Sequence, residues 1–125
     1  LELKLKQILY IFLGGGLGSV LRFLISKHTQ KLWNISSFPV GTFVVNIIGC
    51  FLIGLFSAYF FKTDSQLKFF LIAGFCGGFT TFSTFSAENY SLWQSGNSFV
   101  LVAYVLLSVF VGLAAVFVGA HLMKS

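Results

Sequence analysis

The chain has 125 residues, of which 57% are hydrophobic and only 9% are charged, and its formal net charge is +5. This composition excludes an ordinary soluble domain and is typical of a membrane protein. The basic excess requires no nucleic acid as a partner, because cationic ends and loops lie against anionic lipid headgroups.

Four long apolar runs fill most of the sequence and predict an all-α membrane protein with four transmembrane helices. Each run has about 20 residues or more, enough to cross about 30 Å of hydrocarbon at a rise of about 1.5 Å per residue. The third run is longer than one straight crossing needs, which leaves room for a break at its centre. The predicted spans cover residues 5–25, 40–61, 67–93 and 99–122, with a linker over 26–39, and short linkers throughout make residues 1–125 a single domain.

Glycines in the first and third spans recur at intervals of four, as in Gly14 with Gly18 and Gly74 with Gly78. This spacing puts small residues on one helix face and predicts close contact between helices. A phosphate-binding loop at residues 14–18 is excluded, because no strand precedes the glycines and no Lys-Ser or Lys-Thr pair follows them.

The basic residues give only a weak preference for one orientation in the membrane. Four crossings put both termini and the second linker on one side of the membrane. That side carries five basic residues and the other side carries three. Loops rich in basic residues favour the cytoplasmic side. A chain with so small a bias can insert both ways up, and an antiparallel two-fold dimer then follows. The five are Lys4, Lys6, Lys62, Lys68 and Lys124, and the three are Arg22, Lys27 and Lys31.

The middle of the third span is the most informative segment of the chain. It reads Gly77-Gly78-Phe79-Thr80-Thr81-Phe82-Ser83-Thr84-Phe85-Ser86. Adjacent glycines, β-branched threonines and five hydroxyls make a poor ordinary membrane helix. Within hydrocarbon, irregular backbone survives only where it is buried in protein or lines a polar cavity. The segment therefore predicts a broken helix at an ion or solute site.

Polar side chains form matching faces on three of the four spans. A single hydroxyl often bonds back to its own helix, but three such faces together predict a shared polar track. The second span offers Thr42 and Asn46, the third Thr80, Ser83, Thr84 and Glu88 beside Phe82 and Phe85, and the fourth Tyr104 and Ser108.

The donors on this track suit an anion. Hydroxyls, an amide and the positive edges of phenyl rings can hold an anion loosely enough for it to leave again. Arg22, near the end of the first span, can draw anions toward an entrance. Carbonyl oxygens freed at an unwound helix centre have the opposite polarity and suit a hard cation.

Along essentially its whole length, the chain resembles the Fluc/CrcB family of small bacterial fluoride channels. The resemblance is carried by Gly18-Ser19-Val20-Leu21-Arg22, by Gly41-Thr42-Phe43-Val44-Val45-Asn46 and, most specifically, by residues 74–88, which run from Gly74 to Glu88.

The resemblance implies a fluoride channel of the bacterial inner membrane that exports fluoride passively and protects the cell from it. It also implies a dual-topology antiparallel homodimer with two pathways and a structural Na⁺, not transported, on the backbone carbonyls of Gly77 and Thr80. Arg22 matches a basic residue beside an aqueous vestibule. The implied pathway residues are Thr42, Asn46, Phe82, Ser83, Thr84, Phe85, Glu88, Tyr104 and Ser108.

Two roles stay open for Glu88. A carboxylate repels an anion beside it unless it is protonated, hydrogen-bonded or open to water. In one interpretation Glu88 lies at the membrane boundary, bonded to Thr84 and solvent, and in the other it acts directly in the pathway.

Other classes of function are disfavoured by missing residues. A small multidrug exporter would need a membrane-buried acid in its first span, whereas here only Glu2 precedes that span. A purely structural membrane protein would not need aligned hydroxyls on three helices. An enzyme would need a nucleophile with its base or a metal cluster, and neither spacing occurs. We therefore expect a channel that catalyses no reaction.

Overall fold

The computed structural model of the protein describes residues 4–33, 37–61 and 65–124. Short connections join the helices, and a π-helical segment opens the third span. In chain order these are α1 (Leu5–Leu32), α2 (Val40–Tyr59), the π-helical segment (Phe69–Cys76), α3 (Gly77–Phe79), α4 (Phe82–Gln94) and α5 (Ser98–Lys124).

Four helical stretches are long and apolar enough to cross a membrane, namely Leu5–Leu32, Val40–Tyr59, Phe69–Gln94 and Ser98–Met123. This confirms the predicted four-helix, all-α architecture. Large apolar side chains such as Phe12, Phe110 and Phe117 are exposed on the outside of the bundle. In a membrane protein such a surface faces lipid rather than water.

The first helix is longer than the predicted span. It ends at Leu32 instead of residue 25, so Lys27 and Lys31 lie on α1 and not in a linker. No glycine or proline interrupts the chain between Ile25 and Trp33, and nothing in the local sequence stops the helix. Its 28 residues span about 42 Å, so its last turns extend beyond the hydrocarbon.

The third span is broken, as predicted, although not at its glycines. Gly77–Phe79 stays helical, and the extended residues are Thr80 (φ −91°, ψ 156°) and Thr81 (φ −151°, ψ 123°). Threonine is β-branched and loses side-chain freedom in a helix. Thr81 also gains a role outside the helix, because its hydroxyl accepts the Thr84 N–H at 3.3 Å and caps the start of α4.

The residues before the break form a π-helix, which the sequence analysis did not predict. The segment Phe69–Cys76 has eight residues, longer than the single-turn π-bulges in which this geometry mostly occurs. Such segments are frequent at functional sites. Here the π-helical segment leads directly into the break.

Glycines bring α1 against the first half of the third span. Gly14 and Gly18 are buried, and a methyl group on either would overlap a backbone carbonyl oxygen, of Phe70 and Phe75 respectively. The predicted contact between small-residue faces is therefore present, and the helix backbones touch directly.

A second close pair is formed by α2 and α5, the most extensive helix contact in the structure. A methyl group on Gly54 would overlap the carbonyl oxygen of Val116, and one on Gly119 would overlap that of Phe51. Where α2 and α5 meet α4, the side chain of Tyr104 is fully buried. That buried phenol is the starting point of the polar site.

We predict that Gly14→Ala destabilises the protein, whereas Gly16→Ala does not. Gly16 has open space where a methyl group would lie, and alanine is the better helix former by about 1 kcal/mol. At Gly14 the methyl group forces the two backbones apart, at a cost of about 1–3 kcal/mol. Thermal unfolding of both variants in detergent measures the difference, and equal melting temperatures would contradict the backbone contact.

Candidate ion pathway

The carboxylate of Glu88 joins three helices. Its Oε2 accepts a hydrogen bond from the Thr42 hydroxyl at 2.7 Å, and its Oε1 accepts one from the Tyr104 hydroxyl at 2.8 Å. Both donors are buried, with Thr42 5% and Tyr104 0% exposed. The polar faces of α2, α4 and α5 therefore meet at one carboxylate. One of the two interpretations of Glu88 gave it Thr84 as a partner, whereas in the structure Thr42 and Tyr104 hold the carboxylate.

A row of aromatic rings continues from this carboxylate toward the break. The rings of Tyr104 and Phe85 have centroids 4.9 Å apart, and those of Phe85 and Phe82 are 5.9 Å apart. Phe85 is half-buried, whereas Phe82 is 78% exposed. The two phenylalanines singled out from the sequence thus lie side by side, with the outer ring on the surface of the single chain.

The side-chain amide of Asn46 holds the broken backbone. Its Oδ1 accepts the Thr81 N–H at 3.1 Å, and its Nδ2 donates to the Thr81 carbonyl at 3.4 Å. In this way an amide from α2 replaces the helical partners that Thr81 loses. A buried backbone N–H without a partner costs about 1–3 kcal/mol, so Asn46 stabilises the extended conformation.

The break releases several carbonyl groups from the helical hydrogen-bond pattern, among them those of Gly77 and Thr80. In a continuous helix the Gly77 carbonyl would accept the Thr81 N–H and the Thr80 carbonyl the Thr84 N–H. Here these two N–H groups donate to Asn46 Oδ1 and Thr81 Oγ1 instead. The carbonyl oxygens of Gly77 and Thr80 are those to which the resemblance assigns Na⁺.

Arg22 lies at the break. Its Nε donates to the Gly78 carbonyl at 3.2 Å, and the Ser19 hydroxyl donates to the same oxygen at 3.5 Å. The resemblance implies that Arg22 lies beside an aqueous vestibule, which stays a prediction; in the structure its guanidinium group stabilises a further carbonyl at the break, that of Gly78. The sequence alone does not show this contact, because it depends on how α1 packs against α3.

A cavity of about 350 Å³ opens beside the break, and we call it the break cavity. Five of its lining residues belong to the predicted set, and they come from the second, third and fourth spans. The full lining is Asn46, Gly49, Cys50, Ile53, Thr80, Thr81, Phe82, Phe85, Ser108 and Val109.

A larger cleft of about 800 Å³ lies at the other end of the polar row, where Glu88 forms part of its wall. We call it the basic cleft because it contains Lys27 and Lys31. The remaining lining residues are Ser26, Gln30, Ser37, Phe38 and Pro39. Glu88, Tyr104 and Phe85 therefore lie between the basic cleft and the break cavity.

The other predicted hydroxyls are grouped around Thr81. Its Oγ1 lies 3.2 Å from the Ser83 hydroxyl and 3.4 Å from that of Thr84. Thr80 instead bonds back to the Cys76 carbonyl at 2.9 Å, as single hydroxyls in membrane helices often do. Ser83 is exposed, so this group extends from the break cavity to the outer surface.

Sequence analysis missed the role of Thr81 and of the two cleft lysines. Thr81 has a recognisable signal, because a threonine directly before a helical run is a preferred N-cap. Lys27 and Lys31 are one helical turn apart, but the predicted linker over 26–39 concealed that spacing.

Comparison with known proteins gives a consistent family match. The model of the family described as "CrcB-like protein, Camphor Resistance (CrcB)" matches residues 9–120. Proteins named "Fluoride-specific ion channel FluC" from Flavobacterium psychrophilum and Azobacteroides pseudotrichonymphae are 51% and 48% identical to the chain. The first alignment covers 96% of this chain and 98% of the relative, and the second covers 92% and 94%. A protein of the same name from Bacteroides fragilis is 45% identical, over 94% of this chain and 96% of its own length.

We predict that Asn46→Ala loosens the break, because the Thr81 N–H then loses its partner. The expected cost is about 1–3 kcal/mol of stability, with faster hydrogen exchange at the Thr81 amide. Asn89→Ala is the matched control, since Asn89 donates to the Phe85 carbonyl within its own helix, at 3.0 Å. An unchanged exchange rate at the Thr81 amide in Asn46→Ala would contradict the proposed stabilisation of Thr81 by Asn46.

Proposed function

The chain belongs to the CrcB-like family, and from this membership we propose that it is a fluoride-selective channel through which fluoride leaves the cell passively. The family consists of channels, so the protein is not an enzyme. The observation that carries the proposal is the meeting of the Thr42 and Tyr104 hydroxyls on one anionic group beside Phe85.

Fluoride is small and strongly hydrated, so a pathway must offset the loss of its water shell with closely placed donors. The two hydroxyls at Glu88 already donate to an anionic oxygen each, at 2.7 and 2.8 Å. A fluoride ion at this point competes with the carboxylate for the same protons. Glu88 therefore has to turn toward the basic cleft, or share its donors, whenever an ion passes.

The phenyl rings supply weaker donors between the two cavities. Ring edges carry partial positive charge and no exchangeable proton, so they stabilise an anion without trapping it. Phe85 contacts Tyr104 and Phe82 lines the break cavity. We propose that fluoride moves along these edges between the break cavity and the hydroxyls of Thr42 and Tyr104.

A second copy of the chain is proposed to cover the third span. Gly77, Phe82 and Ser83 are exposed, and the break leaves the Gly77 carbonyl without its helical partner. Polar backbone cannot face hydrocarbon unpaired, so this surface requires a protein partner. The weak charge bias favours an antiparallel arrangement, which gives two equivalent pathways in one homodimer of the bacterial inner membrane.

The released carbonyls of Gly77 and Thr80 fit a hard cation such as Na⁺. Oxygen ligands from an unwound helix are typical of sodium sites in membrane proteins. Among the described residues no group of three His, Cys, Asp or Glu side chains could hold a metal, so backbone oxygens are the candidate ligands. The ion would offset the carbonyl dipoles as a structural component and would not be transported.

Purified protein in liposomes should release fluoride far faster than chloride, as read by ion-selective electrodes. Phe82→Ile and Phe85→Ile should each lower fluoride release by about tenfold or more, because they remove a ring edge where the ion is least hydrated. Phe117→Ile serves as the control, since Phe117 is 72% exposed on a lipid-facing surface.

Equal rates for fluoride and chloride would refute the proposed selectivity. Normal release by both ring variants would leave the channel in place but overturn the assignment of the rings. A loss in Phe117→Ile of the same size would indicate damage to the bundle instead.

We predict that the protein is a dimer in detergent by light scattering, and that Gly77→Cys forms a disulfide between copies under mild oxidation. Gly77 has open space around it, and near a two-fold axis it would meet its own counterpart. Phe117→Cys is the control and should remain uncrosslinked. The wild-type protein, which has two cysteines, Cys50 and Cys76, should also remain uncrosslinked. A monomeric wild-type protein would contradict the proposed assembly.

A further inference from the structure

We propose that Lys27 and Lys31 make the basic cleft an anion-collecting mouth at the Glu88 end of the pathway, so that conduction depends on ionic strength. The inference rests on the proposed function. It assigns a role to two residues that line the cleft together with Glu88.

Hydrogen bonds between different parts of the fold fix the shape of the cleft. The Gln30 Oε1 on α1 accepts the N–H of Gly41 at 3.0 Å, which fixes α1 to the start of α2. Asn97, just before α5, donates to the Ser37 hydroxyl at 3.2 Å. At its base, the ring of Phe38 packs edge-on against Tyr104, with centroids 5.3 Å apart. The two lysines therefore line a cleft whose walls are fixed by contacts between helices.

The charges in the cleft favour an anion. Two lysines and a single carboxylate line the cleft, and that carboxylate already accepts two hydrogen bonds. Within residues 4–33, 37–61 and 65–124 the only acid is Glu88, and its oxygens are engaged by Thr42 and Tyr104. Lys27 lies over the ring of Phe23, with Nζ 5.7 Å from the centroid. Both lysines are exposed, and their charge remains available to ions entering from water.

Charges that line a concave surface raise the local concentration of opposite ions. The cleft needs this effect, because the Glu88 carboxylate alone would repel fluoride from this entrance. Screening weakens such a field, with a Debye length of about 10 Å at 0.1 M salt and about 3 Å at 1 M. A lysine that only anchors the helix to lipid headgroups would not give conduction this dependence on salt.

The test compares Lys27→Gln/Lys31→Gln with Lys4→Gln/Lys6→Gln, which removes the same charge from the opposite end of α1. Fluoride release is measured from vesicles of uncharged phosphatidylcholine, at ionic strengths of about 0.1 M and about 1 M set by an impermeant salt. We expect the cleft variant to release fluoride about two- to fivefold more slowly than wild type at the lower ionic strength and equally fast at the higher. Lys27→Arg/Lys31→Arg should behave as wild type.

Several outcomes would overturn the inference. Equal release by the cleft variant and wild type at both ionic strengths would show that the lysines do not collect anions. A loss that persists at high salt would indicate altered structure, and the same loss in Lys4→Gln/Lys6→Gln would indicate general surface charge. If wild type itself releases no fluoride, the proposed function fails, and that result is distinct from all three.

Discussion

The structure depends on one substitution of hydrogen-bond partners, in which the Asn46 amide takes the place of a helical turn at Thr81. In a membrane a broken helix is tolerated only if other groups satisfy the freed backbone. Asn46 does so from α2, the Thr81 hydroxyl does so for α4, and Arg22 does so from α1. Because α1 and α2 both contribute in addition to Thr81 itself, the break is fixed in space, and the cavity beside it has a defined lining.

Glu88 connects this break to the aqueous end of the molecule. Its two oxygens accept hydrogen bonds from the Thr42 and Tyr104 hydroxyls, and in the proposed pathway the same hydroxyls would bind a passing anion. In the proposed pathway the carboxylate would keep these donors oriented when no ion is present. A glutamine at this position would accept a hydrogen bond from only one of the two hydroxyls and would donate to the other.

The sequence was sufficient for the parts of the structure that depend on local chemistry. Apolar runs predicted the four helices, and the glycine-threonine segment predicted a break in the third. The sequence did not predict three other features, because each depends on contacts between helices. These are the exact position of the break, the π-helical segment and the contact of Arg22 with the break. The sequence placed Thr42, Glu88 and Tyr104 on one polar track, but not the two hydrogen bonds between them, because these depend on how α2, α4 and α5 pack.

Close backbone contacts join α1 to the first half of the third span and α2 to α5, which gives the bundle two closely packed pairs of helices. The extended residues Thr80 and Thr81 connect the pair that contains α1 to α4, which lies beside the pair formed by α2 and α5. A bilayer that is thicker or thinner than the bundle makes helices tilt. Two helices in close contact through glycines would tilt together rather than one at a time. Such a force would act on the threonine linkage, and because Asn46, Arg22 and the Thr81 hydroxyl hold that linkage by hydrogen bonds, the space beside it would keep its width in bilayers of different thickness.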